Sequence, residues 1–161
     1  MFSSSTLLIS TMWLSYLLPI WAVYTRYDSQ RHHSISAVLC DEWVWRWSMT
    51  GLLLMSFFTI LYESAYSSTS FYSILSLLFF LVLLLTYPVS EDCYPHYACA
   101  GAVVLSILVW MYHHSGRWVW ALQIICVLLI VCVPSVFFQA EVAFLILFAS
   151  AYMKRHNFFV S

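Results

Sequence analysis

Hydrophobic and polar positions in this chain fall into long alternating blocks. Six apolar runs, at roughly 5–24, 43–62, 70–87, 96–112, 118–133 and 136–153, are separated by polar interruptions. A helix needs about 20 mostly apolar residues to cross the hydrocarbon core, and shorter runs serve where aromatics flank them in the interface. The pattern therefore predicts six transmembrane helices. The interruptions hold residues that end helices. Pro88 and Pro95 bracket the pair Glu91-Asp92, Ser115-Gly116 separates the fourth run from the fifth, and Pro134 separates the last two. Pro19 lies inside the first run, where it is expected to kink the helix or end it early.

Only the first connection, the polar loop 25–42, is long. The others are short, so successive helices are expected to run antiparallel in one compact all-α bundle, a single transmembrane domain spanning 1–161. The first run differs from a signal peptide: no Lys or Arg precedes it and no small-residue cleavage site follows it, so it is read as a mature span.

Composition sharpens the class. Of the 161 residues 63% are hydrophobic, 19% aromatic and 8% charged, and the mean hydropathy is +0.87. A soluble domain could not cover its surface with so few polar side chains, and disorder needs the opposite bias. Six Lys/Arg and three Gly also exclude a basic nucleic-acid reader or a collagen-like chain. The expected partners are membrane lipids and other membrane subunits, with no nucleic acid.

An even number of crossings puts both termini on one side. That side holds the cations Arg117, Lys154 and Arg155 against the single acid Glu63; the other holds Arg26, Arg31 and Arg46 against Asp28, Asp41, Glu42, Glu91, Asp92 and Glu141. Assigning Arg46 to the second helix tips the positive-inside rule towards cytoplasmic termini. The acidic face is then luminal. Trp43, Trp45 and Trp47 at the start of the second run, and Trp118 and Trp120 at the start of the fifth, mark the two headgroup layers.

The densest polar grouping lies on the acidic face, split between 31–47 and 90–97. Ionisable groups at a span entrance are costly to desolvate, so Arg46 and His96 should each have a partner or reach water. The planar guanidinium of Arg46 suits a lipid phosphate, with Trp45 and Trp47 beside it, or a carboxylate such as Glu91 or Asp92. His96, with those acids four and five residues before it, has the elements of a general base oriented by a carboxylate. The same residues also serve as interfacial anchors in many membrane proteins, and Glu91-Asp92 favour the dipole of the helix that follows. Cys40 and Cys93 flank the second and fourth helices on the same face, where an oxidising lumen permits a disulfide between them. No paired metal-ligand spacing, Gly-rich phosphate loop or nucleophile elbow is present, so no metal or other cofactor is expected.

These loops carry a resemblance. Ser34-Ile35-Ser36-Ala37 followed by Trp43-Val44-Trp45-Arg46-Trp47, and later Leu85-Thr86-Tyr87-Pro88-Val89-Ser90-Glu91-Asp92 with His96 opening the next helix, resemble the Frag/DRAM/Sfk superfamily, and within it the branch of post-GPI attachment to proteins factor two. About 60 residues carry the match; the last two runs agree only in hydrophobicity. The resemblance implies six spans and a role in remodelling the lipid of glycosylphosphatidylinositol (GPI) anchors in the Golgi or endoplasmic reticulum, at the stage where a lyso-lipid is reacylated. It places Arg46, Glu91, Asp92 and His96 at motif positions, in an acyltransferase or its accessory. The chain departs from the family pattern by carrying Leu52, Leu53 and Leu54 where a second arginine is usual. A non-enzymatic scaffold, or a structural subunit of a larger assembly, is the other function class the sequence admits.

Overall fold

The structure, a computed structural model, describes residues 4–66, 70–87 and 94–156. These fold into helices α1 (Ser4–Arg26), α2 (Ile35–Val38), α3 (Glu42–Tyr66), α4 (Phe71–Thr86), α5 (Tyr94–His114), α6 (Arg117–Cys132) and α7 (Phe137–Arg155), with a 3-10 turn at Pro134–Val136 before the last. No strand occurs among the described residues. Four helical segments are long and apolar enough to cross a membrane, Thr6–Arg26, Glu42–Tyr66, Tyr94–His114 and Pro134–Arg155, while Phe71–Thr86 and Arg117–Cys132 are shorter apolar helices. This is the make-up of an integral membrane protein.

Local chemistry sets the helix starts. Asp41 caps α3, its Oδ1 accepting from the backbone N–H groups of Trp43 at 2.9 Å and Val44 at 3.3 Å. Ser34 caps the single turn of α2, its Oγ accepting from Ala37 N–H at 3.0 Å. Pro134 sits in the first turn leading into α7, where its missing N–H costs nothing.

Two expectations change. Of the two outcomes expected at Pro19, the early end does not occur: the helix continues to Arg26. The carbonyl that Pro19 cannot bond is that of Ser15, and this oxygen faces Gly51 of α3, where an added Cβ would come within 2.9 Å of it. A close, glycine-lined contact with α3 thus shelters the defect. The second change is that α3 runs a turn beyond the expected 62, which carries Glu63 out of a loop and into the helix with no exposed surface.

In the bundle α1 lies along α3, α4 along α5 and α6 along α7, with α3 against α4 and α5 against both α6 and α7. The main core centres on Leu77, Ile107, Trp110 and Met111, and Trp110 packs edge-on against Phe148 with ring centroids 5.3 Å apart. A smaller core of Ala22, Val38 and Val44 fastens α2 against the ends of α1 and α3. Leu14, Leu53, Phe57, Leu105 and Ile146 point outward and exposed. Apolar side chains on the outside, with backbone groups bonded within helices, are what a hydrocarbon solvent requires.

Candidate functional site

Polar side chains gather at the two ends of the bundle. One end is built around His96, in the first turn of α5 and only 4% exposed. Its Nδ1 lies 2.8 Å from the backbone carbonyl of Tyr87, the residue that closes α4, and its Nε2 lies 3.1 Å from Ser36 Oγ in α2. A carbonyl only accepts, so Nδ1 carries a proton, and when Nε2 carries none it is the acceptor that faces the Ser36 hydroxyl. The imidazole joins the 25–42 connection to the junction of α4 and α5. Nearby, Trp45 Nε1 donates to Leu85 O at 2.6 Å, and Glu141 Oε2 at the start of α7 accepts from Ile35 N–H at 2.7 Å.

Among the described residues, the arginines at this end have local partners. Arg46 bonds Glu42 one turn back, and its side chain is 69% exposed. Arg31 lies 3.6 Å from Asp28, and Arg26 stands over the Trp43 ring at 5.4 Å. Trp21, Trp43 and Trp47 form an edge-to-face cluster with centroid separations of 5.3 to 6.3 Å. Trp45 is thus held by Leu85 and Trp47 by that cluster. Because the Arg46–Glu42 pair is an exposed i,i+4 contact, Arg46→Gln is expected to move the unfolding midpoint by the equivalent of less than about 0.5 kcal/mol. A larger shift in detergent unfolding would assign Arg46 a structural role.

Glu91, Asp92 and Cys93 lie outside the described residues, and with them the acid partners expected for His96 and the Cys40–Cys93 bridge. Cys40 Sγ is 3.6 Å from Ser36 O. Among the described residues no three His, Cys, Asp or Glu side chains converge as a metal site would require.

The opposite end holds a network centred on Glu63. Its Oε1 accepts from the Tyr152 hydroxyl at 2.5 Å and its Oε2 from the Ser70 hydroxyl at 2.7 Å, while His156 Nε2 lies 3.2 Å from Oε1. All four side chains are buried or nearly so. Just outside, Arg155 bonds His114 and stands over Trp110 at 5.9 Å. Helices α3, α4 and α7 are tied together by this one carboxylate. The sequence pattern places Glu63, Arg155 and His156 among interfacial charges and does not connect them. A signal exists nonetheless: a carboxylate at the end of an apolar run requires a partner as much as Arg46 or His96 does.

An apolar cleft of about 180 Å³ runs between these two ends, lined at one extreme by Ser48 and Leu85 and at the other by Thr59 and Tyr152. A separate polar depression lies over the 25–42 connection, between Thr25, Asp28, Arg31 and Asp41. His96 and Arg46 line neither. The chain matches no protein-family model, no curated protein and no solved structure. Geometry therefore carries its chemistry: an end with a proton acceptor bonded to a hydroxyl, an apolar channel beneath it, and a buried carboxylate closing the far side.

Proposed function

We propose that the chain is a six-span membrane protein of lipid remodelling, with cytoplasmic termini and the His96 end in the lumen of the secretory pathway, acting on or assisting reacylation of a lyso-GPI lipid. The observation that carries this reading is the bonding of His96 between Tyr87 and Ser36. An imidazole is thereby fixed with Nε2 facing a hydroxyl, where the unprotonated nitrogen would act as acceptor. Its anchor at Tyr87 is two residues past the carbonyl that holds Trp45, at the level the tryptophans mark as headgroup. A lyso-lipid hydroxyl that takes the place of the Ser36 hydroxyl gives its proton to Nε2 as it attacks the carbonyl of an acyl thioester or ester donor. The tetrahedral adduct collapses by breaking the donor's C–S or C–O bond, Nε2–H returns the proton to the departing sulfur or oxygen, and the Tyr87 carbonyl stabilises the intervening imidazolium through Nδ1–H. Arg46, exposed at the same end, offers a second donor pair to a lipid phosphate when it leaves Glu42.

A second reading has one observation in its favour. Both ring nitrogens of His96 are bonded within the fold, as a structural tie between two connections would have them, and neither His96 nor Arg46 lines the apolar cleft or the polar depression. On this reading the chain is a membrane scaffold or subunit. Expression in cells lacking their own GPI-lipid remodelling factor separates the two. Wild type is expected to restore the fatty-acid composition of GPI anchors, measured by mass spectrometry. His96→Asn, which keeps a donor and an acceptor but cannot accept a proton at neutral pH, is expected to lower restoration at least about 100-fold, the lower range for a lost acid–base catalyst. Full restoration by His96→Asn would leave the scaffold standing.

A further inference from the structure

The cleft between the two polar ends is lined almost wholly by apolar atoms, from α1, α3, α4, α5 and α7. Its polar lining residues are Trp13, Tyr16, Ser48, Thr59 and Tyr152, and among their hydroxyls only that of Ser48 is both buried and without a partner. The Tyr152 hydroxyl is committed to Glu63 and offers nothing to the cleft. Ser48, at the other extreme, is 2% exposed, and its hydroxyl has no hydrogen-bond partner. Hydroxyls on the neighbouring helical surface behave otherwise: Thr11, Ser15, Thr50 and Thr86 each donate to a carbonyl one turn back. A buried hydroxyl that leaves its donor unused is unfavourable unless something else accepts it. Ser56 is also without a partner but does not line the cleft. The indole N–H of Trp13 is a second buried donor without a partner on the cleft lining, as it is at Trp110 and Trp120 away from it.

Position and length identify the occupant. Ser48 follows Trp47 directly, so its hydroxyl sits just beneath the tryptophan layer, the depth at which lipid ester carbonyls lie below their headgroups. From Ser48 to Thr59 the cleft follows α3 for about 16 Å by helical rise, half of the roughly 30 Å hydrocarbon core and hence the depth of one leaflet's acyl chain. We propose that the cleft binds one fatty acyl chain, with its ester carbonyl accepting from Ser48 Oγ and its methyl end lying towards Tyr152. The site is independent of the reading above and holds whether or not His96 moves a proton.

The test is photolabelling of the full chain in phosphatidylcholine nanodiscs. A trace of phosphatidylcholine, or in a second arm lyso-phosphatidylcholine, carries a diazirine near the chain terminus. Adducts mapped by mass spectrometry are expected on cleft residues such as Leu77, Ile107 and Phe148. Labelling by either probe supports the site, and the ratio of the two tells a diacyl lipid from a single-tailed one. Ser48→Ala is expected to lower cleft labelling about fivefold, the effect of one lost hydrogen bond, and Leu52→Trp to abolish it by filling the channel. Should a variant fail to fold, competition on the wild type replaces it: an unlabelled fatty methyl ester should displace the probe several-fold better than an alkane of equal length. Adducts confined to outward-facing Leu53, Phe57 and Leu105, equal labelling of folded Ser48→Ala, or equal competition by ester and alkane would overturn the proposal. His96→Ala is expected to label as wild type does, so a failed rescue by a His96 variant speaks only to function.

Discussion

Glu63→Ala is expected to lose about 3 kcal/mol or more of stability, the largest effect of any single polar substitution in the described fold. The alanine removes the acceptor of two hydroxyl donors, Tyr152 at 2.5 Å and Ser70 at 2.7 Å, and leaves His156 without its carboxylate neighbour. Each buried donor left unpaired costs about 1 to 3 kcal/mol, and Glu63 has no exposed surface among the described residues. Breaking up such a group costs far more than never having built it, since the remaining partners stay buried and unsatisfied. Tyr152→Phe, which removes one donor to a charged acceptor, is expected to cost about 1.5 to 3 kcal/mol, and Ser70→Ala less. Unfolding of the purified protein in detergent, followed by heat or denaturant, reads the series. A midpoint for Glu63→Ala equal to that of wild type would show that the carboxylate does not hold α3, α4 and α7 together.

The second large effect belongs to backbone packing. A Cβ at Gly51 would stand 2.5 Å from Pro19 Cδ, 2.9 Å from Leu18 Cβ and 2.9 Å from Ser15 O. Two of those atoms are fixed by a proline ring and a helix backbone, so α1 must move away from α3. Gly51→Ala is expected to destabilise by about 1 to 3 kcal/mol, and Gly51→Val by more. Gly101 is the internal control: it is also helical, but a methyl group added there would meet nothing within 4 Å. Gly101→Ala is expected to stabilise by roughly 0.5 to 1 kcal/mol through helix propensity alone. If the two substitutions shift the unfolding midpoint alike, the close approach of α1 and α3 is wrong. Because Pro19 and Trp13 of α1 also line the cleft, Gly51→Val is expected to disturb acyl-chain labelling along with stability.

Much of this is legible in the residues. Apolar runs bounded by Pro, Gly and Ser locate the six longest helices to within a few residues, because the cost of leaving backbone groups unbonded in hydrocarbon makes a helix the only local solution. At Pro19 the outcome depends on a residue far away in the chain. Sequence shows that proline removes a hydrogen bond, but not that Gly51 lies where it can cover the Ser15 carbonyl. Arg46 illustrates the converse. The sequence offers the loop acids Glu91 and Asp92, which lie outside the described residues, as partners, and among the described residues the partner is Glu42, one turn away on the same helix. Glu141 has Arg26 and Arg31 as candidate partners on the same face and instead accepts from the backbone of Ile35.

The sequence by itself determined that this chain is helical and suited to a lipid solvent, since hydropathy and breaker spacing are properties of contiguous residues. It also marked His96 as a residue needing a partner. Only the tertiary structure decided which partners meet: Ser36 with His96 across 60 positions, and Tyr152 with Glu63 across 89. Such pairs depend on how helices with similar apolar faces pack against one another. Hydrophobicity supplies no direction for that choice, whereas hydrogen bonds, close glycine contacts and the shape of the cleft do.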